Sequence, residues 1–178
     1  YLVFAVGLAV NSFGIAFITK SALGTSPISS VPYVLSLAFP GITFGMFTFV
    51  LNMGFILLQI LLLRRRFPPV QLLQVAVNVV FSACIDVGMF LLSWFDPASP
   101  LLRLASLLLG CAILAAGICI EVAPDVIVVP GEGMVRTIAQ VSGREFGAVK
   151  VRFDLTLVLI ALALSLFFFH TLRGTGLG

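Results

Sequence analysis

Leu23-Gly24-Thr25-Ser26-Pro27-Ile28-Ser29-Ser30-Val31-Pro32, with the apolar run that follows it to Phe39-Pro40, breaks a hydrophobic passage that would otherwise run on. Pro27 suits the first turn of a helix, where its missing N–H has no partner to lose. A helix from Pro27 to Phe39 rises only about 20 Å at 1.5 Å per residue. A bilayer core is about 30 Å thick, so this segment is predicted to enter a membrane without crossing it alone.

The flanking sequence supplies the membrane. Apolar windows at Tyr1 to Thr19, Ile42 to Leu63, Gln71 to Phe95, Leu101 to Ile120 and Gly147 to Phe169 each approach or exceed the roughly 20 residues that span a bilayer. Of 178 residues 61% are hydrophobic and 10% charged, with mean hydropathy +1.23, whereas a soluble domain carries about 25% charged residues. A soluble or secreted protein is excluded. The first window leads straight into further spans, so it reads as a helix of the mature protein and not as a cleaved signal.

Net charge is +3, but the ten basic residues are scattered at the ends of apolar windows. That pattern records membrane orientation and does not form a nucleic-acid patch. Cys84, Cys111 and Cys119 fall inside apolar windows without metal-type spacing and are expected to be small core residues. Tyr1 in place of an initiator Met, and the end at Leu177-Gly178, suggest a trimmed chain.

A second interrupted stretch occupies the matching place further on. Gly41-Ile42-Thr43-Phe44-Gly45 recurs as Gly143-Arg144-Glu145-Phe146-Gly147, a G-x-x-F-G pattern at an offset of 102 that also sets Asn52 opposite Asp154. With one residue of slip, Gly14-Ile15 matches Gly117-Ile118 and Pro27 matches Pro130. The expected fold is therefore an all-α integral membrane bundle built from two internal repeats. Each repeat holds a short interrupted, re-entrant or broken helix between two long transmembrane helices. The chain reads as one transmembrane domain: repeat 1 over 1–66, a linking helix over 71–95 and repeat 2 over 100–172.

Non-helical backbone at membrane depth is tolerated only where protein or a water-filled cavity satisfies its polar groups. Two such segments at corresponding places point to a transporter-like central site; kinked helices packed for shape alone are the plain alternative. If the short helices re-enter, the repeats are inverted; if they cross, the repeats are parallel. Arg64-Arg65-Arg66 assigns that connection to the cytoplasm, and the inverted arrangement is favoured.

Candidate functional residues follow from the cost of placing ionisable groups in lipid. Asp86 lies in the linking helix without a basic neighbour within a turn; Arg136, Lys150 or Arg152 are its expected partners unless it is protonated, and it serves either a structural hydrogen bond, the favoured reading, or proton coupling or ligand binding. Lys150 and Asp154, four apart, share a helix face; they either form a local ion pair or, with Arg152, hold an anionic group. Glu132 falls in the first turn of the second short helix, where an acid also caps free N–H groups. Arg136 follows it on the same helix. Ser26, Ser29, Ser30 and Asn52 are the polar candidates of the first half, and the stretches Thr25 to Ser30 and Pro130 to Gly133 are predicted to face each other. His170 reads as an interfacial residue. No catalytic constellation, metal-ligand spacing or phosphate loop is present in the sequence, so neither an enzyme nor a bound cofactor or metal is expected.

Ala22-Leu23-Gly24-Thr25-Ser26-Pro27, the two G-x-x-F-G turns, Ile85-Asp86, Pro130-Gly131-Glu132-Gly133, Lys150 and Asp154 together resemble the YczE/YitT-like bacterial membrane proteins. The resemblance covers essentially the whole chain. It implies a multi-pass protein of the bacterial cytoplasmic membrane, without a characterised activity, and one further apolar C-terminal helix beyond Gly178. The second half departs from the pattern, with Asp125-Val126-Ile127-Val128-Val129 before Pro130.

The function expected from these readings is a small secondary-transporter-like permease for an unknown small solute, for which the basic groups favour an anionic part, with the lipid bilayer as a further partner and no nucleic acid. The alternative is a non-transporting scaffold or assembly factor. A permease should hold a water-reachable cavity lined by Glu132, Lys150 and Asp154; a scaffold should show these groups paired and dry.

Overall fold

A computed structural model describes residues 2–64, 68–122 and 128–170. The basic run beyond Arg64, the Asp125 to Ile127 stretch and Arg173 lie outside them. The described residues form α1 (Leu2–Lys20), α2 (Pro27–Ala38), α3 (Phe44–Leu63), α4 (Leu73–Leu91, entered through a 3-10 turn at Pro69–Leu72), α5 (Pro100–Val122), α6 (Pro130–Ser142) and α7 (Phe146–Phe169). There is no strand among them.

The protein is a multi-pass, membrane-type helical protein: α1, α3, α4, α5 and α7 are each long and apolar enough to cross a bilayer. The short helices α2 and α6 have 12 and 13 residues, about 18–20 Å of rise. Both open on a proline at the first turn, and α6 closes on Gly143 in the left-handed conformation, φ 64°, the usual stop for a helix.

Helix direction follows from close contacts. Gly7 of α1 lies against Glu121 of α5, Gly14 against Leu114, and Gly110 against Ile18, so α1 and α5 run antiparallel. A Cβ on Gly7 or Gly14 would come within 2.5–2.7 Å of the backbone of α5. Small residues allow this approach, and between helices in lipid such van der Waals contact replaces the hydrophobic force. One end of the bundle gathers Lys20, Thr43 and Asp86; there Phe17 stacks on Phe95, and Phe39 meets Phe168 edge-on at 5.5 Å. Thus α2 and the tail of α7 finish at the end where α3 begins, while α6 descends to the opposite end, where α7 begins.

Two packed groups result. Helices α1, α4 and α5 pack together, α2, α3, α6 and α7 pack together, and α3 against α4 bridges them. The first group has Leu8, Ile15, Phe81 and Ile85 in its core, joined by Phe44. The second has Val31, Val34, Phe55, Met134, Leu157 and Ala161. Cys111 and Cys119, expected in the core, are exposed on α5, and Cys84 is half-buried. Spans apolar all round carry no mark of which face meets protein.

Candidate functional site: a cavity between the two short helices

The first turns of α2 and α6 meet inside the bundle. Ile28 packs on Gly131, where an added Cβ would lie 3.0 Å from the Ile28 side chain. Around this junction is a cavity of about 120 Å³, room for a handful of waters or a solute of similar size. Ser26 to Ser29 of α2 and its cap, Thr48 and Asn52 of α3, Val129, Gly131 and Glu132 at the start of α6, and Lys150 of α7 form one wall. Asn11, Ile15, Phe81, Leu114, Ile118 and Glu121, from α1, α4 and α5, form the other. The cavity therefore lies between the two packed groups of helices.

Its polar side chains are deeply placed. Asn11 (5% exposed) and Glu121 (3%) form a buried hydrogen bond, Asn11 Nδ2 donating to Glu121 Oε2 at 2.7 Å. Asn52 donates to Asn78 at 2.9 Å, and Asn78 donates in turn to the Phe49 carbonyl at 3.0 Å. Ser26 donates to Ser29 at 2.9 Å, and Ser30 turns back to the Pro27 carbonyl at 2.6 Å. Lys150 reaches Asp154 at 3.1 Å along its own helix. Glu132 has no hydrogen-bond or ion-pair partner among the described residues.

Of the residues singled out from sequence, the structure gathers Ser26, Ser29, Asn52, Glu132 and Lys150 at this cavity. Ser30 is buried beside it, and Asp154 touches it only through Lys150. Arg136 and Arg152 are exposed and do not line it. Asp86 makes structural hydrogen bonds and has none of the expected basic partners: its carboxylate accepts from Thr43 Oγ1 and from the Gly45 backbone N–H, each at 2.7 Å. It caps the start of α3 from the neighbouring α4, away from the cavity.

Sequence reasoning missed Asn11 and Glu121. Glu121 follows directly on Ile120, the last residue of an apolar window, and so reads as a border residue, but α5 continues to Val122 and carries the carboxylate inward. An ionisable group there costs a few kcal/mol unless satisfied, and Asn11, a polar residue inside the first window, was the available signal of its partner.

A second polar cluster anchors α6. Gln59 and Gln74, both fully buried, meet at 3.3 Å, and Gln59 Nε2 also donates to the Pro130 carbonyl at 3.1 Å. A Cβ at Gly133 would press on both amides, 2.8 Å from Gln74 Nε2, so glycine there lets α6 seat on them. Among the described residues no group of three or more His, Cys, Asp or Glu is placed to hold a metal.

No curated protein matches this chain, and no solved structure does. A family model does match, over residues 1–178, and its description is "Family of unknown function". With the seven α-helices of the described residues and the cavity between them inside that match, the chain belongs to the DUF6198 family.

Proposed function

We propose that this protein is a small secondary-transporter-like permease of the bacterial cytoplasmic membrane, built from two inverted repeats, that binds a small solute where α2 and α6 meet. The observation that carries the reading is the cavity, largely apolar but set with a few buried polar side chains, between two half-length helices whose first turns converge from opposite ends of the bundle. Such convergence of broken helices near mid-membrane is how transporters present unpaired N–H groups and positive helix ends to a solute.

Packing supports the inverted repeat. Gly7 and Gly110 differ by 103 positions, as do Gly14 and Gly117 and also Ile28 and Gly131. Shifting one half onto the other by this offset turns the Gly7–Glu121 contact into the Gly110–Ile18 contact, and the Gly14–Leu114 contact into the Gly117–Asn11 contact. Likewise α2 packs on α7 as α6 packs on α3. With the Arg64 end in the cytoplasm, Arg144 lies on the same side and Lys20 and Arg103 on the other. The resemblance to YczE/YitT-like proteins fits this location. No catalysis, cofactor or nucleic-acid contact belongs to this reading.

The scaffold reading draws on two observations: Lys150 is already paired with Asp154, and Asp86 is consumed as a cap. Water access separates the two. With Cys84, Cys111 and Cys119 replaced by Ala, Ser29→Cys should react with a membrane-impermeant thiol reagent from at least one side of sealed vesicles. Absence of labelling from both sides, with the thiol reactive after denaturation, would favour the dry scaffold.

A further inference from the structure

The charge around the cavity is opposite to that suggested by sequence. Lys150 and Arg152 pointed to an anionic solute, but Arg152 is exposed and the charge of Lys150 is balanced by Asp154 at 3.1 Å. Glu121 and Glu132 then remain, two acids on one small cavity without a basic partner among the described residues. The N-termini of α2 and α6 contribute about half a positive charge each, which offsets roughly one of the two. About one negative charge is left for a ligand to balance.

An independent feature points the same way. Asn11 and Asn52 both line the cavity, at 5% and 2% exposure, and each gives one amide N–H to a protein acceptor, Glu121 and Asn78 respectively. Neither amide oxygen accepts a hydrogen bond from any described residue. Two open amide oxygens and two carboxylates on one small cavity suit a ligand that brings N–H donors and a positive charge.

Resting on the permease reading, we propose that the solute bound here carries a small organic ammonium group, held by Glu121 and Glu132 with the Asn11 and Asn52 carbonyl oxygens completing its hydrogen bonds. A bare alkali ion fits less well, because a cavity of about 120 Å³ exceeds what one dehydrated ion fills, whereas methylammonium or ethanolamine occupies it. The Asn11–Glu121 bond sets the carboxylate in place, and the opposite half has no copy of it: the residues at the shifted positions are Leu114 and Ile18. The ligand is thus held towards one side of an otherwise two-fold arrangement.

The test is thermal melting of the purified protein in detergent with methylammonium chloride, sodium chloride or sodium acetate at one ionic strength, for the wild type, Glu121→Gln and Glu132→Gln. Glutamine at 121 keeps an acceptor for Asn11, and Glu132 has no partner to lose, so both variants should fold. Expected is a concentration-dependent rise in melting temperature with methylammonium alone, its apparent affinity weakened at least about tenfold in each variant through loss of an ionic partner. An equal shift in the variants, or the same shift with sodium, overturns the ammonium assignment. A shift with acetate and none with methylammonium overturns the cationic site while leaving a solute-binding permease. No shift with any salt overturns the ammonium site too, and Ser29→Cys labelling then tells whether the permease reading falls with it.

Discussion

The starts of α3 and α7 carry the same G-x-x-F-G turn and meet different surroundings. Thr43 and Glu145 hold similar extended backbone at the cap, φ −72° and ψ 159° against φ −61° and ψ 135°. At the first, Thr43 accepts from the Met46 N–H and Asp86 reaches in from α4 to take the Gly45 N–H; Gly45 and Phe44 are buried. At the second, Glu145 makes no side-chain cap, Phe146 and Gly147 are exposed, and a Cβ on Gly147 would meet nothing within 4 Å. The shared motif thus specifies where a helix begins. Whether that beginning is a structural joint depends on the helix packed against it.

The largest expected break in this pairing comes from the glycines. Gly45→Ala would drive a Cβ into the Ser82 carbonyl and the Asp86 carboxyl, and overpacking of this kind costs about 1–3 kcal/mol. Gly147→Ala should be neutral or stabilise by up to about 1 kcal/mol, since alanine is the better helix former; paired melting curves in detergent check the contrast. Next, Asp86→Asn should lower stability by about 1–2 kcal/mol, because hydrogen bonds to a charged acceptor outweigh neutral ones. Faster hydrogen exchange at the Gly45 amide would locate that loss. The smallest contrast is between the caps themselves: Thr43→Ala should cost about 1 kcal/mol, and Glu145→Ala should stay within about 0.5 kcal/mol, as for other exposed positions. Equal losses at both caps would mean that α7 is also capped by a side chain.

Proline and glycine made the short helices readable in the sequence. Pro27 and Pro130 mark their first turns and Gly143 a stop, and the observed ends, Pro27–Ala38 and Pro130–Ser142, fall within a residue or so of what those signals give. The partner of Asp86 was not readable, because it is a threonine hydroxyl and a backbone N–H, and backbone donors leave no mark in a sequence. Glu121 was hidden by its place beside an apolar run. The exposed position of Cys111 and Cys119 was hidden for a different reason: hydropathy separates membrane from water, and a protein interior and a lipid tail are equally apolar.

The contacts between α3 and α4 also constrain motion. Gly45, Asn52 and Gln59 are spaced seven apart on α3 and meet Asp86, Asn78 and Gln74 on α4. Sliding one helix past the other by a single residue would part all three pairs together, and each would then leave polar atoms stranded in an apolar setting. The seam resists translation much as meshed teeth do, yet it opposes rocking about its own length far less. In the permease proposed above, this seam, which joins the two groups of helices around the cavity, would be the axis about which they tilt.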